Sequence, residues 1–71
     1  MHRWESTTRY YVADLGRDLF GTWIVTRAWG GLGSRLGGTK TTPYPTKREA
    51  MNELRAIANT RRAHGYRPVA P

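Results

Sequence analysis

The run Gly21-Thr22-Trp23-Ile24-Val25-Thr26-Arg27-Ala28-Trp29 constrains the fold more than any other stretch of the chain, because it reads with a period of two. Successive side chains of a strand point to opposite faces, so Trp23, Val25, Arg27 and Trp29 share one side, with Ile24, Thr26 and Ala28 on the other. A second extended run, from about Arg9 to Leu15, is rich in aromatic and branched residues. It places Tyr11, Ala13 and Leu15 on one face and Tyr10, Val12 and Asp14 on the other. Gly16-Arg17-Asp18 supplies turn chemistry between the two runs, and so short a connection predicts an antiparallel hairpin.

Beyond Trp29 the pattern changes. Five of the eight glycines fall between residues 30 and 38, which predicts a turn or series of turns with exposed amides. Thr39-Lys40-Thr41-Thr42 reads as a third strand, ended by Pro43 and Pro45. Thr46-Lys47-Arg48-Glu49 has the spacing of a capping box and marks a helix start. Ala50, Leu54, Ile57 and Ala58 then recur as an amphipathic stripe that would lie on the sheet. The helix is expected to stop near Ala63 or His64, with Gly65 as the left-handed residue beyond it and a short extended tail from Tyr66 to Val69. The fold class is therefore α+β: an antiparallel sheet of three to four strands carrying one amphipathic helix. Residues 1–8 read as a flexible lead-in, 9–67 as the domain and 68–71 as a tail.

A chain of 71 residues without cysteine has neither disulfides nor thiolate zinc to supplement its core. At this length about 60% of the unfolded surface is buried. Trp23, Tyr10, Tyr11, Phe20, Leu54 and Ile57 are the expected contributors. No apolar run approaches the ~20 residues that cross a bilayer, and the N-terminus lacks the apolar region of a secretory signal. The expected location is the cytoplasm, with nucleoid association if the source is bacterial.

Twelve Lys and Arg stand against five Asp and Glu, and their distribution carries more than the sum of +7. Between Asp18 and Glu49 there is no acid, while Arg27, Arg35, Lys40, Lys47 and Arg48 all fall there. After Glu53, Arg55, Arg61, Arg62 and Arg67 follow with no carboxylate. Such a field suits a polyanion, and ten of the twelve cations being arginine favours planar phosphate or base contacts over solubility alone. On a helix, Arg48, Arg55 and Arg62 align on one flank of the apolar stripe and Glu49 and Glu53 on the other. That arrangement fits a solvated helix surface as well as it fits phosphate contact.

The side chains needed for catalysis are scarce. His2 and His64 are far apart with no metal-ligand spacing, and a C-terminal helix position accounts for His64 through the helix dipole. Asp14 and Asp18 flank a turn. Gly31-Leu32-Gly33-Ser34-Arg35-Leu36 lacks the third glycine of a dinucleotide loop, and no phosphate-loop Gly-Lys-Ser/Thr occurs. No enzyme activity, cofactor or metal is expected. Binding remains, with Trp29 at a strand end beside Gly30 and Gly31 as a stacking platform and the glycine amides as phosphate donors.

Several elements in order resemble the WGR family: Arg9-Tyr10-Tyr11, Leu19-Phe20-Gly21-x-Trp23, Arg27-x-Trp29-Gly30-x-Leu32-Gly33, the helix opening Thr46-Lys47-Arg48-Glu49-Ala50, and Arg62-x-x-Gly65-Tyr66. The resemblance covers about residues 9 to 67 and implies an antiparallel sheet with one helix packed on it. WGR domains occur in poly(ADP-ribose) polymerases, where they bind DNA near strand breaks, and as small bacterial proteins. By this likeness Trp29 matches the tryptophan that packs against the DNA end and Gly30 the motif glycine. The motif arginine is replaced by Gly31. The expected partner is nucleic acid, DNA ends, breaks or single strands with low sequence specificity, met by Trp29, Gly30, Gly31, Arg27, Arg35, Lys40, Lys47 and Arg48. Two other readings stay open: a protein-interaction module that has lost DNA recognition, and an RNA binder. A membrane-surface role fits less well, since the helix lacks a bulky apolar face.

Overall fold

A computed structural model describes residues 1–69 of the chain. The elements run β1 (His2–Glu5), β2 (Arg9–Arg17), β3 (Trp23–Gly31), β4 (Gly37–Tyr44), α1 (Lys47–Ala63) and β5 (Arg67–Val69). All strand pairs are antiparallel, and the sheet order is β4-β3-β2-β1-β5. The α+β class stands, with five strands where three to four were expected. Residues 70–71 of the expected tail lie outside the described residues.

The two extra strands come from the chain's ends. Residues 1–8, read as a lead-in, contain β1, whose Trp4 sits opposite Tyr11 and is buried. The sequence signal there is four residues long with one apolar side chain at its centre, too short for alternation to register. β5 depends on how α1 ends. The Gly65 amide bonds the Arg62 carbonyl at 3.2 Å and the Tyr66 amide bonds the Arg61 carbonyl at 3.0 Å, with Gly65 at φ +83. This paired Schellman closure reverses the chain, seats Tyr66 against the core and delivers Arg67–Val69 beside β1. At the start of α1 the Thr46 hydroxyl accepts the Glu49 amide at 3.2 Å, as the capping spacing predicts.

The core lies between α1 and one face of the sheet. Trp4, Tyr11, Ala13 and Val25 meet Ala50 and Ile57, and Leu15, Trp23, Trp29, Tyr44, Leu54, Ala58 and Tyr66 pack around them half-buried. The alternation in β2 and β3 is thus resolved in favour of Tyr11, Ala13 and Leu15 with Trp23, Val25, Arg27 and Trp29 facing the helix. Tyr10 faces the other side, half-buried beneath Arg3 at 4.9 Å. Phe20, expected in the core, is 92% exposed. The reason is a boundary: the strands continue to the Arg17–Trp23 pair, so the turn comprises Asp18 to Thr22 and Phe20 stands at its tip.

Pro43 does not end β4, which continues to Tyr44. β4 is an outer strand, so one row of its backbone groups has no neighbour and a missing N–H is tolerated. The other outer strand, β5, also holds a proline, Pro68 opposite Trp4.

Candidate nucleic-acid interface

Cross-strand register decides what surrounds Trp29. On its helix-facing side β3 sets Trp29 opposite Tyr11 of β2 and opposite Gly38 of β4. The Tyr11 and Trp29 rings stack with centroids 6.1 Å apart and 17° between planes. Gly38 has no side chain to oppose the indole, and a Cβ there would come within 2.7 Å of Trp29 Cζ2. The ring therefore lies flat over β4, half-buried, and forms one wall of an open cleft of about 540 Å³.

The cleft collects cations from four elements: Arg9 from β2, Arg27 from β3, Lys40 from β4 and Arg61 from α1. Arg27 and Lys40 are cross-strand partners. Arg61 lies 4.3 Å from the Tyr11 ring centre and 5.2 Å from that of Tyr66, a sandwich that fixes its guanidinium over the cleft. Tyr66 and His64 complete the lining. Arg27 donates to Glu53 Oε1 at 2.7 Å, so part of its charge is already compensated. Burial works against the charged form of Arg27, but the phenol groups of Tyr11 and Tyr44 and the Glu53 carboxylate outweigh it and push its pKa above the ordinary arginine value. It is a fixed cation at any accessible pH. The Nε groups of Arg27 and Arg61 are buried without an acceptor among the described residues.

The expected site residues separate into three places. Arg27, Trp29 and Lys40 come together in the cleft. Arg35 is exposed in the β3–β4 connection, outside the cleft lining. Lys47 and Arg48 open α1 at the far end of the sheet, where Lys47 Nζ lies 5.4 Å from the Trp23 ring. Six residues of strand separate Trp23 from Trp29, about 20 Å. Arg9, Tyr11, Arg61, His64 and Tyr66 were not among the expected site residues. For Tyr11 the period-two signal existed, since it shares the face of Ala13 and Leu15. Arg61 reaches the cleft from the last turn of α1, and Tyr66 from the turn that ends it.

The glycines divide likewise. Gly30 is buried, and a Cβ there would meet the Leu36 carbonyl oxygen at 2.8 Å and Tyr10 Cε1 at 3.0 Å. Its place in the motif is explained by close backbone approach at the mouth of β3 and β4. Of the connecting amides, Leu32 bonds Thr8, Ser34 bonds Gly31, and Leu36 bonds the Ser34 hydroxyl. The expected row of exposed amides thus narrows to those of Gly33 and Arg35, neither of which has an acceptor among the described residues. Gly31 borders a second, shallower concavity with Thr8, Arg9, Trp29 and Leu36.

A one-helix, five-strand module with an aromatic and cationic cleft at one end defines a small α+β domain. The family model of the WGR domain matches residues 2–71, and the chain belongs to that family. The match takes in β1 and so begins earlier than the resemblance did. No curated protein and no solved structure matches the chain. The WGR domain is a small noncatalytic module that binds nucleic acid in poly(ADP-ribose) polymerases, which supports a nucleic-acid-binding role here. No helix among the described residues is long and apolar enough to cross a membrane.

Proposed function

We propose that the chain is a noncatalytic DNA-binding module that takes ends, breaks or single strands into the Trp29 cleft. The observation that carries this reading is a partly buried indole, stacked on Tyr11, that lines an open cleft together with Arg9, Arg27, Lys40 and Arg61. Stacking needs a base or sugar face that is free, which a strand end or single strand provides and an intact duplex does not. Neither the ring nor the cations read base edges, so affinity depends little on sequence. Arg9, Lys40 and Arg61 meet phosphate directly, and Arg27 contributes the part of its charge that Glu53 leaves free. Location with its DNA in the cytoplasm follows from the same reading.

The test is a fluorescence-anisotropy titration of blunt duplex, nicked duplex, single-stranded DNA and RNA over a series of salt concentrations. With about four phosphates neutralised, log affinity falls against log salt with a slope near −3.6 on duplex DNA. A flat dependence overturns the reading. Because Gly31 stands where the family motif has arginine, salt-resistant binding to a protein in the absence of DNA binding would favour the interaction-module alternative.

A further inference from the structure

The chain has a single phenylalanine, and its small core does not use it. Phe20 is 92% exposed and the adjacent Leu19 fully exposed, side by side at the tip of the β2–β3 hairpin. The tip is not a loose loop. Asp18 Oδ1 accepts the amides of both Phe20 and Thr22 at 2.9 Å, the Asp18 amide bonds the Thr22 carbonyl at 3.0 Å, and the Gly21 amide bonds the Asp18 carbonyl at 3.1 Å. Gly21 supplies the left-handed residue that closes the turn, at φ +80. Two bulky apolar side chains are thus held out rigidly, with little ordering left to lose on contact.

Their surroundings are cationic. Arg17 lies 4.3 Å from the centre of the Trp23 ring at the base of the tip, Lys47 lies 5.4 Å from the same ring, and Arg48 is exposed in the first turn of α1. Of the acids at this end, Asp18 commits an oxygen to the turn, and Glu49 belongs to the same helical turn as Lys47 and Arg48. An apolar wedge flanked by Arg and Lys is the combination that enters a minor groove, partly unstacks a base step and holds the flanking phosphates.

We propose that the Leu19–Phe20 tip is a second nucleic-acid contact, a wedge that presses between stacked bases while Arg17, Lys47 and Arg48 take phosphate. It rests on the nucleic-acid reading above but not on the cleft. The tip prolongs the sheet at its Trp23 end, whereas the Trp29 cleft lies about 20 Å away toward the other end. One molecule then engages two segments of nucleic acid, a terminus at the cleft and a continuous duplex at the tip.

A dumbbell duplex, closed by loops at both ends, isolates the tip because it offers no terminus. Wild-type protein is expected to raise the fluorescence of 2-aminopurine placed inside the dumbbell stem, reporting unstacking. The Leu19→Ser/Phe20→Ser double variant, altered only at exposed positions, is expected to lose about tenfold in dumbbell affinity together with that signal. It should bind a single strand, which offers a free terminus and no continuous duplex, within twofold of wild type. Trp29→Ala should do the reverse. An unchanged dumbbell signal in the double variant overturns the wedge while leaving the cleft intact. So does intact DNA binding combined with a selective loss of binding to phosphatidylserine vesicles, or of self-association by sedimentation, either of which reassigns the tip to a membrane or to a second copy. Failure of the wild type to bind either DNA overturns both readings.

Discussion

Trp23 and Trp29 sit on the same face of the same strand, and cations lie near both, yet the open cleft described above is lined by Trp29 and not by Trp23. Trp23 faces Arg17 on β2 and Tyr44 on β4, with Lys47 above it, so its surroundings are filled. Trp29 faces Tyr11 and Gly38, and the absence of a side chain at Gly38 lets the indole lie over β4, where it forms a wall of the cleft. The helix adds to the contrast. It starts beside Trp23 and ends near Trp29, where the chain turns away at Gly65 and leaves Arg61 and Tyr66 around the opening. An indole's role here is set by what register places across from it.

The comparison can be broken most severely at Gly37, where an added Cβ would overlap the Trp29 carbonyl oxygen, backbone against backbone. Gly37→Ala is expected to destabilise the domain by about 3 kcal/mol, the upper part of the usual overpacking range, seen as a lower denaturant midpoint. If stability is unchanged, β3 and β4 are not in such close apposition at this end. Next come the two tryptophans themselves. Trp23→Ala is expected to cost roughly 2 kcal/mol of folding stability, as a half-buried ring does, with end or single-strand affinity nearly preserved. Trp29→Ala is expected to weaken end or single-strand binding by about 1–3 kcal/mol while the protein stays folded by circular dichroism. Equal effects on folding and binding at both positions would erase the distinction.

Smaller changes sharpen it. Glu53→Gln releases Arg27 from its 2.7 Å partner, and the affinity for DNA at low salt should rise several-fold, with the salt slope steeper by up to about 0.9. A loss of affinity would mean that Glu53 is needed to hold Arg27 in position. Gly31→Arg restores the family arginine beside Trp29. Gly31 does not adopt a left-handed conformation, and its Cβ would meet only Ser34 Cβ closely, at 3.1 Å, in an exposed loop. The substitution should therefore fold and raise end affinity about two- to fivefold, one further phosphate contact at most.

How much of this was legible follows from which signals are local. The β2–β3 hairpin, the Thr46 cap and the Gly65 stop are written in periodicity and in residues with narrow conformational roles, and all three appear in the structure. β1 escapes a sequence reading because four residues cannot display a pattern, even though its partner β2 begins only four residues further on. Phe20 was misassigned because an aromatic residue next to an alternating run reads as part of it, whereas Asp18, two residues earlier, had already fixed the turn with its side chain. The candidate site was half legible. Trp29, Arg27 and Lys40 belong to adjacent strands and can be brought together by counting register. Arg9 of β2, opposite Gly31, follows from the same register, whereas Arg61 and Tyr66 depend on long-range closure, and Lys47 and Arg48, close to Lys40 in sequence, are carried to the opposite end by the length of β4.

The prolines in both outermost strands have a consequence for how the molecule behaves when crowded. Pro43 and Pro68 each remove an amide from the borders of the sheet, so neither border presents an unbroken row of donors on which a foreign strand could template itself. Prolines at such borders are one of the devices by which a sheet avoids zipping flank to flank with a neighbouring copy, a safeguard that counts for more in a short domain with a minimal interior.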